Sequence, residues 1–150
     1  MRPDNAIGYY QPEDFKKLEL VVSFSELFPI AEEIIKRLPP PISQVCGPIS
    51  TGGLGSIEKN MQRLEETVEH LHRSGLTVFN QVPFESPMNR ILAAKKSDGY
   101  DHSLLTDFYL PLFESGLVHV LHFLPDWQSS TGASWEHEQA KRLGLKIIYL

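Results

Sequence analysis

Cysteine is nearly missing from this chain: a single residue, Cys46, among 150. That excludes an intrachain disulfide framework and a cysteine-rich zinc site. Long apolar runs are missing as well. No stretch approaches the ~20 residues needed to cross a bilayer, and no charged-then-apolar leader opens the chain. No membrane association and a cytoplasmic location are therefore expected. Positive charge is in deficit, with 14 Lys and Arg against 19 Asp and Glu and a net charge of −5. Without a basic stripe to displace counterions, a nucleic-acid polymer is not an expected partner, while one small phosphorylated ligand stays open. Three nucleotide or nucleophile fingerprints are absent too: no Gly-Lys-Ser/Thr, no Gly-x-Gly-x-x-Gly and no Gly-x-Ser-x-Gly.

What is present reads as an ordinary globular domain, 41% hydrophobic and 22% charged,. Residues 1–41 form an N-terminal arm and helix. Pro3, Gly8 and Pro12 break the arm, which suits a mobile or surface-wrapping segment with one short helix after Pro12. Leu27, Ile30, Ala31, Ile34, Ile35 and Leu38 predict a helix over 25–38, ended by Pro39-Pro40-Pro41. Residues 42–150 alternate strand and helix. A short apolar strand over 42–49 leads to a glycine loop, then Ser56 opens an amphipathic helix expected to carry Ile57, Met61, Leu64, Val68 and Leu71 on one face. Leu76 to Phe79 is a second strand. A polar stretch over 80–101, punctuated by Pro83, Pro87, Asn89 and Gly99, reads as a long functional loop. A helix over 104–114 is interrupted by Pro111. A third strand over 117–124, a helix over 133–143 and an apolar strand over 145–150, expected to be buried, complete the pattern. It predicts one three-layer α/β domain with a parallel sheet of about four to five strands.

Two loops carry the chemistry. Gly47, Pro48, Ile49, Ser50, Gly52 and Gly53 lie between a strand and a helix, where backbone N–H groups cradle phosphates or sugars and where a plain turn is the competing reading. The run from Asp126 and Trp127 through Ser130 and Gly132 to Glu136 joins the third strand to its helix. It places a carboxylate in the expected first turn, where chemistry competes with simple complementation of the helix dipole. Trp127 and Trp135 flank the turn, as core or as a wall for a flat base. Six histidines lack ligand spacing: His70 and His72, and His119 and His122, point to different faces, so no metal is expected. Cys46, inside an apolar strand with no basic neighbour, reads as a buried structural thiol.

Together, Cys46-Gly-Pro-Ile-Ser-Thr-Gly-Gly53 and Ser130-Thr-Gly-Ala-Ser-Trp-Glu136 with Ala140 and Gly144 resemble the nucleoside 2-deoxyribosyltransferases and the related deoxynucleoside-monophosphate N-glycosidases. The wording is nearest an uncharacterised branch of that superfamily, and the resemblance covers 42–150. It implies a flavodoxin/Rossmann-like fold, a nucleoside or nucleotide ligand and no cofactor. It also implies a homo-oligomer, since relatives complete their pockets across subunits. Glu136 carries over as the nucleophile at the anomeric carbon and Asp107 as the acid for the departing base, with Asp98, Asp101 and Asp126 as alternatives. The substrate-binding set is Gly47, Pro48, Ile49, Ser50, Gly52, Gly53, Asp126, Trp127, Ser130 and Gly132. Transferases commonly place Asp where Ser130 stands. The monophosphate hydrolases resemble this chain in having Ser, which implies a 5′-phosphorylated ligand. A nucleotide-binding or sensing module without turnover is the second reading. An interaction role led by the arm is the third.

Overall fold

The computed structural model describes residues 8–95 and 102–150. Four strands, β1 (Ile42–Cys46), β2 (Thr77–Val78), β3 (Val120–Phe123) and β4 (Lys146–Tyr149), form one parallel sheet in the order β2-β1-β3-β4. The fold is α/β, of the Rossmann or flavodoxin kind. Among the described residues six α-helices surround the sheet: α1 (Pro12–Leu20), α2 (Leu27–Ile35), α3 (Ile57–Arg73), α4 (Val82–Lys95), α5 (Leu110–Glu114) and α6 (Thr131–Leu143).

Strand alternation divides the core into two layers. Ile42 and Cys46 join Leu121 and Phe123 in a large cluster that also holds Leu27, Ile34, Phe84, Phe108 and Phe113. Val45 points the other way, into a smaller cluster with Val78, Leu124 and the α3 residues Leu64, Val68 and Leu71. The α3 spacing is what an amphipathic helix requires, and Ser56 caps it by accepting from the Lys59 N–H at 3.1 Å,. Leu18, Val21 and Tyr10 of the arm belong to the large cluster, so arm and sheet share one core.

Four expectations need correction. The stretch over 80–101 is not a loop through most of its length: 82–95 is α4, which buries Phe84, Pro87, Met88 and Ile91. Its proline punctuation masked a helical apolar spacing, and burial of that face outweighs the backbone bond that Pro87 cannot make. The last strand is not buried. β4 is an edge strand, and Tyr149 keeps 61% of its surface exposed. Third, α6 begins at Thr131, so Glu136 sits in the second turn. Fourth, Pro111 does not break its helix. It occupies the first turn of α5, where a missing N–H costs little, and a wider π-helical stretch, Leu105–Tyr109, leads into it,.

Candidate functional site

Cys46 and Phe123 are paired at the ends of the two central strands, so the loops that follow leave the same sheet edge,. The loops are stitched together. The Gly53 N–H donates to Ser129 Oγ at 2.8 Å, and the Thr131 N–H donates to Thr51 Oγ1 at 3.1 Å. From α3, the buried Asn60 ties the first loop to itself: Nδ2 donates to Ile49 O (3.0 Å) and Gly52 O (3.1 Å), while Oδ1 accepts from the Leu54 N–H (2.8 Å). Gly52 and Gly53 are required here. Both have left-handed backbones, φ +67° and +74°, and an added Cβ would lie 2.1 Å from Ser129 O or 2.4 Å from Asn60 Oδ1,.

Behind these loops lies a cleft. The first loop contributes Gly47, Ile49 and Ser50, and the start of α6 contributes Ser130, Gly132, Ala133 and Glu136. A second wall is Gln81 with Glu85, Met88 and Asn89 of α4, and Leu105 and Tyr109 also line the cleft. Ser130 caps α6, its Oγ accepting from the Ala133 N–H at 3.1 Å, which leaves the hydroxyl proton free to donate,.

Glu136 is the buried carboxyl of the cleft, 7% exposed. Burial pushes its pKa up to about 8, against a thiol bond from Cys46 Sγ (3.5 Å to Oε2) that lowers it; the charge of Glu85 adds to the rise,. Burial, and then the charge of Glu136, raise the Cys46 thiol well above its usual range, so Cys46 is an inert donor beneath the carboxyl,. Glu85 faces the same cleft, half-buried, its pKa pushed up to about 7 by burial. Gln81 donates from Nε2 to Val45 O at 2.9 Å, which fixes the amide; its buried Oε1 has no partner among the described residues.

The other sequence candidates lie elsewhere. Asp107 is exposed, accepts from Thr106 Oγ1 at 3.3 Å and does not line the cleft. Asp126 is held by Arg63 at 2.7 Å. Asp98 and Asp101 lie outside the described residues. Trp127 stacks on His137 with ring centroids 4.1 Å apart, over Phe123, rather than walling the cleft. Pro48 is buried, while Gly52 and Gly53 line an adjoining depression with Ser56, Asn60 and Ser129 that shares Ser50 and Ile57 with the cleft. No group of three or more His, Cys, Asp or Glu suited to a metal occurs among the described residues. Sequence reasoning missed Asn60, Gln81 and Glu85. The signal for the last two was their separation of four residues, one helical turn, with Met88 following on the same side,.

A family model for a domain of unknown function, DUF4406, matches residues 107–149. That stretch runs from the π-helical segment through α6 and β4, and so carries the Glu136 wall but not α4. No curated protein and no solved structure matches the chain.

Proposed function

We propose that the protein binds a deoxynucleoside 5′-monophosphate in this cleft and breaks its N-glycosidic bond, with Glu136 as nucleophile and Glu85 as the acid beside the departing base. The observation that carries this reading is the presence of two carboxyls with raised pKa values in one cleft that also takes in the capped start of α6,. Glu136 attacks the anomeric carbon, the base leaves with the bonding electron pair, and the Glu85 proton neutralises it. Water then hydrolyses the glycosyl ester, or a second base accepts the sugar. Glu85 takes the role that the resemblance gave to Asp107, because Glu85 lines the cleft with Glu136 and Asp107 does not. The Ser130 hydroxyl and the start of α6 suit the 5′-phosphate, since the helix terminus favours an anion and the hydroxyl adds no negative charge. Gln81 Oε1 is an acceptor awaiting an N–H donor, which an amino group on the base supplies,.

One observation favours a second reading, binding without turnover. In the ligand-free cleft Glu136 holds its proton up to about pH 8, so a charged nucleophile forms at neutral pH only if the proton passes to Glu85 or to the ligand. The deciding experiment incubates the protein with a panel of deoxynucleoside 5′-monophosphates, measuring released base by chromatography and binding by thermal shift. Released base supports the glycosidase. Stabilisation without release selects the binding module, and neither response rejects the nucleotide cleft.

A further inference from the structure

The N-terminal arm lies outside the stretch matched by the family model, and its polar contacts converge on one short piece of backbone. Tyr9 Oη donates to Val78 O at 3.0 Å and accepts from the Asn80 N–H at 2.7 Å, and Tyr10 Oη donates to Asn80 O. Two phenol hydroxyls thus satisfy three backbone groups where β2, only two residues long, leaves the sheet. The next residue is Gln81, and α4 follows. The Tyr10 ring also meets Phe84 edge-on, with centroids 6.5 Å apart, and Phe84 is the buried neighbour of Glu85.

The tyrosines are themselves anchored. Arg37 Nη1 donates to Tyr9 O at 3.2 Å, and the same guanidinium grips the buried Asp14 through bonds of 2.7 and 2.9 Å. Farther along α4, Arg90 Nη2 donates to Leu18 O (3.0 Å) and Val21 O (2.7 Å) at the end of α1. The arm therefore holds α4 at its start and again near its middle, while the cleft side of the same helix presents Glu85, Met88 and Asn89.

We propose that Tyr9 and Tyr10 are positioning residues for the cleft: the arm is a strap that sets Gln81 and Glu85 opposite Glu136, and releasing the two hydroxyls opens that wall to water. The mechanism is the cost of unpaired backbone groups. Without the hydroxyls, Val78 O, Asn80 N–H and Asn80 O have no partners at the short edge strand, and they are satisfied only if the segment moves into solvent. Glu85 follows, because it lies one helical turn beyond Gln81. The role of Glu85 as proton donor rests on the function proposed above; the strap itself does not.

The test is made on the ligand-free protein with Tyr9→Phe, Tyr10→Phe and the double variant, which keep the rings and remove only the oxygens. Among the described residues, the titratable groups that line the cleft with Glu85 are Glu136 on α6 and Tyr109 at the end of the π-helical stretch, with the Cys46 thiol bonded to Glu136, so the carboxyl signals of Glu85 and Glu136 are followed together by pH-dependent NMR. In the double variant the Glu85 midpoint is expected to fall from about 7 by about one unit or more, as water replaces a desolvated wall. Amide exchange over 81–91 is expected to accelerate about tenfold or more, with smaller changes in each single variant. Folded variants in which the Glu85 midpoint and the α4 exchange rates stay at wild-type values overturn the strap. Where the double variant does not fold, the two single variants decide by the same criteria. Neither readout uses a nucleotide, so failure here leaves the proposed function standing, and failure to release base leaves the strap standing.

Discussion

The two walls of the cleft are built by different means. The α6 wall is local: Ser130 caps its own helix, Gly132 sits in the first turn, and Glu136 follows at short sequence distance. The α4 wall is long-range. Its entry is held by Tyr9 and Tyr10, about 70 residues away along the chain, by the Gln81–Val45 bond and by Arg90 reaching back to α1. One wall is encoded by a motif and the other by packing. The difference teaches that one carboxyl of a cleft can be legible in the sequence while the carboxyl that shares the cleft is not.

The sharpest way to break the comparison is to remove the charge-bearing group of each wall in turn. Glu136→Gln keeps shape and most packing but supplies no nucleophile, so base release is expected to fall ~10³-fold or more with nucleotide binding retained. Full turnover by this variant eliminates the mechanism. Glu85→Gln removes a proton donor rather than a nucleophile, and the expected loss is about 10²-fold. A pH–rate profile in which the limb near pH 7 disappears identifies Glu85 as that donor; an unchanged profile returns the role to another group.

Binding variants separate the walls more gently. Ser130→Asp keeps a good helix cap but places a negative charge at the proposed phosphate position. Affinity for 5′-monophosphates is expected to drop about tenfold or more while free nucleosides are unaffected, as read by calorimetry on matched pairs. On the other wall, Gln81→Met removes the acceptor. Wild type is expected to prefer dAMP over dIMP and dCMP over dUMP by about tenfold, and the variant to lose that preference. Equal wild-type affinities within both pairs reject Gln81 as a reader of the base.

The smallest expected effect is on stability, and its sign differs between the cleft and the strap. Glu136 and Glu85 have folded pKa values of about 8 and about 7, above the ordinary 4.5. The folded state therefore retains protons that the unfolded state releases, and stability declines as pH rises from about 4.5 to about 8,. Asp14 goes the other way. Its hydrogen bond to Arg37 holds its pKa below 3.8, so its contribution is present above that value and is lost as pH falls through the folded pKa,. Melting curves across pH are expected to show Glu136→Gln flattening the decline between about pH 4.5 and 8 while leaving the acid limb in place. A decline of unchanged slope in that variant contradicts the burial of Glu136 as its cause.

Much of the architecture could be read directly from residue patterns. The apolar runs gave β1 and β3, the spacing of Leu64, Val68 and Leu71 gave α3, and Gly47 to Gly53 and Ser130 to Glu136 marked two loops that do meet at one sheet edge. Those features are local, set by periodicity, caps and glycine conformations that act within a few residues. Proline and asparagine in α4 carried the wrong local signal, because the burial of Phe84, Met88 and Ile91 that stabilises it depends on neighbours distant in sequence.

Sequence alone determined the strand–helix alternation, the glycine turns and the presence of a carboxylate-bearing helix after the third strand, since each is decided by short-range sterics and hydrogen bonding. Tertiary structure decided which second carboxyl shares the cleft with Glu136, that Asp107 lies outside it, that β4 lies at an edge, and that the N-terminal arm grips the end of β2. The physical reason is that burial, desolvation and the pairing of orphaned backbone groups belong to the folded neighbourhood and have no value in the unfolded chain.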